Sequence, residues 1–142
     1  MKKPFLLIGV LLLVACSNGA PTAASSTGAS PSASEPGALQ VIRPDGSAKM
    51  ITLNDLKAMP KVKITVEGID QEGPALLEVL RVAGVTDFKR VTISGVGSVN
   101  LNKDQVNAQV MFDFNNRGSV KFASVNVPKA NWPKDITKIQ VE

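Results

Sequence analysis

Residues 73–85 read GPALLEVLRVAGV, the most regular apolar pattern in the chain. Leu76, Leu77, Leu80 and Ala83 recur at the spacing of one helical face, and Val79 and Val82 widen it. This predicts a helix packed on a sheet. Pro74 suits the first helical position, where its missing N–H is no loss, and Gly84 suits the residue just past the end. Glu78 and Arg81 are expected to face water.

Around this helix the pattern is that of strands. In residues 61–67, Val62, Ile64 and Val66 alternate with Lys61, Lys63, Thr65 and Glu67, as a strand with one buried face requires. Residues 39–43 read as a first strand, PDGS at 44–47 as a turn, and 48–51 as its returning partner. TLND at 52–55 resembles a capping box with Asp55 in place of the usual Glu. It opens a short helix over 53–59, with Leu53, Leu56 and Met59 inward, that stops at Pro60. Residues 68–73 form a loop carrying Asp70 and Glu72. A strand at 89–94 is interrupted by GVGS at 95–98 and resumes at 99–101, after which Asn102 caps one turn over 103–106.

Residues 108–114 predict a strand with Val110, Phe112 and Phe114 on one face. NNRG at 115–118 is a hairpin turn. Residues 119–127 run back to Pro128, 129–134 form a loop holding Trp132 and Pro133, and 136–141 close the chain with Ile136, Ile139 and Val141 apolar. Strands outnumber helices and their links are short. The expected fold class is therefore α+β: a mainly antiparallel or mixed sheet with one main helix and one or two short helices.

The N-terminal pattern is different. Lys2 and Lys3 precede an apolar run over residues 5–15, too short for a permanent membrane span and typical of an export signal. Leu13-Val14-Ala15-Cys16 resembles the bacterial lipobox, in which small residues precede a cysteine that is acylated before cleavage. Only a thiol can take the diacylglyceryl thioether, so Cys16 is the expected lipidation site. An ordinary signal peptide with a chance cysteine is the alternative. Apart from Asn18, residues 17–38 are Ser, Ala, Thr, Gly and Pro with a single charge, Glu35. Such a segment cannot bury a core and reads as a flexible tether. Its ~22 residues reach at most about 75 Å extended and about 25 Å as a coil. The organisation expected is a signal at 1–15, lipidated Cys16 and tether at 16–38, and one domain at 39–142. This places the domain outside the cytoplasm, anchored to the cell membrane or outer membrane.

Composition narrows the chemistry. Of 142 residues, none is His or Tyr and one is Cys. That removes the commonest general base, the commonest metal ligand and, once Cys16 is acylated, any thiol nucleophile. No metal site and no catalytic residue is expected. The formal charge is +4, two units of it from Lys2 and Lys3. The weakly basic remainder, poor in aromatics, does not suggest a nucleic-acid partner. Among the carboxylates, Asp70 and Glu72 share the predicted loop. They are a weak calcium pair, more simply a solvated turn. Asp113 alternates with Phe112 and Phe114 and reads as an outward strand residue. GVGS lacks the lysine and following helix of a phosphate loop, so a β-bulge or tight bend explains it better. Trp132 is either a ligand platform or a cover over one end of the core. Trp132, Asp70 and Glu72 are the candidate ligand surface.

Several segments resemble the oxidoreductase molybdopterin-binding domain, the sulfite oxidase-like fold. ITLNDLKAMP at 51–60 is similar to its "x-L-x-D-L-x-x-M-P" opening, followed by the strand at 62–66. GPALLEVL through Gly84-Val85 is similar to "G-x-x-L-x-D-L-L-x-x-A-G-V". Residues 90–101 match its next strands, 122–128 lie where "R-L-V-V-P" is frequent, and 132–142 resemble "W-V-K-x-I-x-x-I-x-V". The resemblance spans residues 41–142. It implies the fold but not the chemistry. The family's molybdenum-ligating cysteine, its active-site tyrosine and its pterin-binding histidines and arginines have no counterpart in the domain, and Ser124 stands where an arginine is common. No cofactor is therefore expected, and molybdopterin is implied by the resemblance alone. The expected function is a membrane-anchored lipoprotein with a non-catalytic domain that binds an unidentified protein or small molecule. The alternatives are a molybdopterin-dependent oxidoreductase or its accessory protein, and a structural cell-envelope module.

Overall fold

The computed structural model describes residues 38–142. The signal at 1–15, Cys16 and the tether up to residue 37 lie outside the described residues. Ala38, grouped with the tether by composition, is buried.

β1 (Leu39–Ile42) and β2 (Ala48–Ile51) pair antiparallel from Leu39↔Ile51 to Ile42↔Ala48. The Asp45 carboxylate accepts the Ser47 N–H at 2.8 Å in the turn between them. α1 (Leu53–Ala58) starts at the expected capping box. Asp55 N–H donates to Thr52 Oγ1 at 3.1 Å, and Thr52 N–H donates to Asp55 Oδ2 at 3.0 Å. These bonds satisfy N–H groups that a helix start leaves without partners.

β3 (Lys61–Val66) continues through Glu67 and Gly68, both at positive φ, into β4 (Ile69–Pro74). The expected loop at 68–73 is thus a strand, paired in full from Lys61↔Pro74 to Val66↔Ile69. Its sequence, IDQEGP, is poor in β-formers; cross-strand pairing with the strongly patterned β3 overrides that preference. α2 (Leu76–Val82) also begins later than predicted, with Pro74 closing β4 and Ala75 as N-cap. Ala75 bridges Met111, which holds the backbone extended at the residue where the helix would otherwise have started.

The buried face of α2 is Leu76, Val79 and Leu80, with Ala83 just beyond its end. Leu77 is 42% exposed, against expectation; it lies off the i, i+3, i+4, i+7 line that meets the sheet. Gly84 sits at φ +79, as expected. Its N–H reaches Arg81 O, and Val85 N–H reaches Leu80 O at 2.9 Å, a Schellman closure that satisfies two terminal carbonyls.

β5 (Arg90–Asn102) doubles back on itself. Lys103 N–H donates to Lys89 O at 3.0 Å, and the Thr92 hydroxyl donates to Asn100 Oδ1 at 2.7 Å. A straight strand of 13 residues would hold its ends about 40 Å apart. The interruption predicted at 95–98 is the bend. One turn of 3₁₀ helix at Lys103–Gln105 leads to β6 (Val110–Phe114) and β7 (Val120–Ser124), joined through NNRG as a hairpin. A second such turn, Lys129–Asn131, precedes β8 (Lys134–Val141).

The main sheet has the order β2-β1-β8-β5, with β1 parallel to β8 and the other pairs antiparallel. The β6–β7 hairpin joins β4 through Ala75↔Met111 and β8 through a bond from Phe122 N–H to Pro133 O at 3.2 Å. The main core gathers Val41, Leu80, Ile93, Phe112, Phe122 and Ile139; Ile64, Met111 and Ala123 form a smaller cluster. The class is α+β, mainly strand. The "main" helix holds 7 residues against 6 in α1.

Candidate functional site

β8 enters the sheet irregularly. Ser94 pairs with Lys138, yet Val96 pairs with Lys134, so β8 takes four steps where β5 takes two. The surplus is a bulge containing Asp135 at φ +47, a left-handed conformation that Asp tolerates better than most residues. Opposite the bulge stands Gly95. A β-carbon there would lie 2.3 Å from Lys134 O and 2.6 Å from Asp135 O. Only glycine lets the two backbones come this close.

A bulge re-aims the side chains around it. Here Asp135 meets the β6–β7 hairpin. The Ser119 hydroxyl donates to Asp135 Oδ1, and Asn115 Nδ2 donates to Ser119 Oγ and lies 3.5 Å from Asp135 Oδ1. Asn115 Oδ1 in turn accepts the N–H groups of Arg117 and Ser119, each at 2.9 Å. The turn is therefore fixed by its own asparagine. On the adjoining strands Lys121 and Asp113 are register partners, and their charges meet at 2.9 Å. Asp113, expected to face outward, is half-buried.

Asn115, Asn116, Arg117, Lys121, Lys134 and Asp135 surround an open cavity of about 410 Å³. Asp135 is engaged by Ser119, and Lys121 by Asp113. Arg117 and Lys134 have no ion-pair partner among the described residues. A second groove of about 410 Å³ runs between β2, α1 and α2, with Met50 and Val82 in its wall. Its acidic groups are committed, Asp55 to Thr52 and Glu78 to Arg81.

The candidates taken from sequence lie elsewhere. Trp132 is half-buried against both core clusters, and its Nε1–H donates to Val127 O at 2.8 Å. Its ring stands edge-on to Phe122, 6.3 Å between centroids. It covers the core and is not presented as a platform. Asp70 and Glu72 are strand residues and neighbours on one face of β4. Asp70 accepts the Thr65 hydroxyl at 2.7 Å and pairs with Lys63 at 2.7 Å; Glu72 lies 3.7 Å from Lys61. The bonds from Lys63 and Thr65 hold the Asp70 carboxyl below its ordinary range. Alternation puts both acids on the outer face of the hairpin, while Ile64, which packs in Trp132's cluster, is on the inner face. The three residues do not form one site. No group of three His, Cys, Asp or Glu side chains among the described residues is placed to hold a metal ion.

Sequence reading missed Arg117, Lys134 and Asp135. NNRG signalled a turn and nothing more, and the bulge at Asp135 depends on a close backbone approach that Gly95, distant in sequence, permits. No protein-family model matches the chain, and no curated protein matches it.

Proposed function

We propose that the chain is a cell-envelope lipoprotein, exported, acylated at Cys16 and anchored by it, whose domain binds a ligand at the β6–β7/β8 cavity without catalysis. The anchoring part rests on the basic start, the apolar run and the lipobox-like Leu13-Val14-Ala15-Cys16. The observation that carries the binding part is that the uncommitted polar side chains at the cavity, Arg117, Lys134 and Asn116, all offer N–H donors, whereas Asp135 and Asp113 are already engaged. The chain has no His or Tyr, so the commonest general base is absent from this opening.

The same proposal includes a sulfite oxidase-like fold, on the resemblance of residues 41–142. The mixed, mainly β architecture agrees with it at the level of class. The residues do not fit the molybdenum cofactor of that family. The domain has no thiolate for the metal, and guanidinium and ammonium groups do not ligate one. At position 124, where an arginine is common, stands a fully buried serine whose oxygen accepts the Asn126 N–H at 3.1 Å.

Elemental and pterin analysis of the full chain, purified from a host able to make the cofactor, tests the non-catalytic reading. Folded protein without molybdenum or pterin is the expected result. Stoichiometric cofactor would overturn it in favour of an oxidoreductase.

A further inference from the structure

We infer that the β6–β7/β8 cavity takes the phosphate group of an organic phosphate. The inference rests on the proposal that this domain is a binding module and names the ligand class of that site.

Two structural features set this cavity apart from a chance surface hollow. The Asn115 side chain fixes the hairpin turn and so places Arg117. The β8 bulge, forced against Gly95, places Lys134 and Asp135 on the facing side. Left-handed backbone and bulges of this kind concentrate where a fold aims side chains at a ligand.

The charges select the ligand. Arg117, Lys121 and Lys134 face one lining carboxylate, Asp135, with Asp113 behind Lys121. Both carboxylates already accept bonds within the protein, Asp135 at Oδ1 from the Ser119 hydroxyl and Asp113 from Lys121. What remains open is a guanidinium, an ammonium and the Asn116 amide, each rich in donors. A group presenting only acceptor oxygens complements them. Asn116 and Arg117 come from the turn and Lys134 from β8. Donors carried by separate elements suit a tetrahedral phosphate, whose oxygens point in several directions, better than a planar carboxylate, which prefers a single fork. The cavity of about 410 Å³ is large enough for a small molecule and exceeds a bare phosphate, so the phosphate carries an organic group. Two sources share this chemistry: a phospholipid headgroup at the anchoring membrane and a soluble phosphate monoester.

The test uses the full chain, ¹⁵N-labelled, in non-ionic detergent micelles, with the amide signals of Asn116, Arg117 and Lys134 as readout. Glycerol 3-phosphate is titrated as the soluble ester and malonate as the carboxylate control. In separate samples the micelles are doped with phosphatidylglycerol or with diacylglycerol. The expected result is saturable movement of these amides with glycerol 3-phosphate or with phosphatidylglycerol, whichever is the source. Malonate should be at least about tenfold weaker, and Arg117→Gln with Lys134→Gln should weaken binding by about tenfold or more. Both residues are exposed, and unchanged signals elsewhere would show that the variant folds. Malonate binding as tightly as the phosphates overturns the phosphate assignment and leaves the binding reading standing. No response to any of these anions overturns both.

Discussion

Gly95 and Asp135 meet backbone to backbone: a β-carbon on Gly95 would sit 2.6 Å from the Asp135 carbonyl oxygen. The contact couples the bend of β5 to the bulge of β8, and the bulge faces Lys134 and Asp135 toward the β6–β7 hairpin. A residue outside the cavity thereby sets its shape.

Gly95→Ala should accordingly cost roughly 1–3 kcal/mol, the range for overpacking a close contact. It should also shift the amide signals of Asn115 and Ser119, which belong to the hairpin and not to β5. Urea unfolding and a ¹⁵N spectrum check the two effects. A stable variant with an undisturbed hairpin would break the proposed link.

Asp113→Asn should tighten binding of a phosphate ester. The carboxylate now holds Lys121 at 2.9 Å; neutralising it frees a third cation and removes a negative charge near the ligand. Even with the full screening of bulk water, charges at this separation interact by about 1 kcal/mol, so an increase of about threefold or more is expected by titration.

Leu80 and Leu77 should differ sharply although the same helix carries both. Leu80 is 1% exposed and Leu77 42%. Leu80→Ala should cost about 2–5 kcal/mol, and Leu77→Ala about 0.5 kcal/mol or less. Paired urea titrations give the comparison directly.

Acid should weaken the fold through carboxyls that are hydrogen-bonded when folded. The Thr52 hydroxyl, and then its backbone N–H, hold the Asp55 carboxyl below its ordinary 3.8. A depressed folded value contributes stability above the unfolded value, and that contribution is lost as pH falls through the folded one. Thr52→Ala should move the Asp55 titration back toward 3.8 and flatten the dependence below about pH 4. In the same way Lys63→Met should raise the titration of Asp70, whose largest cause of lowering is the bond from Lys63. Side-chain carboxyl shifts recorded by NMR between acid and neutral pH measure both.

Features governed by neighbouring residues were readable in the chain. The Thr52–Asp55 box, the glycine after α2, the alternation of β3 and the NNRG turn each depend on a few adjacent side chains, and each formed as predicted. Features governed by distant partners were not. β4 is a strand because β3 pairs with it, α2 begins at Leu76 because Ala75 bridges Met111, and Leu77 points away because the sheet meets only one line of the helix. The candidate site is the extreme case. Arg117 and Lys134 lie at opposite ends of a hairpin and loop, and the glycine that fixes their relation belongs to a third element.

The most direct test of the anchored-lipoprotein reading is the intact mass of the full chain recovered from the membrane fraction of a bacterial host. The reading predicts a protein that begins at Cys16, has lost residues 1–15 and carries the mass of a diacylglyceryl group on that cysteine. A chain with an unmodified Cys16, or one cleaved at another bond, would contradict it.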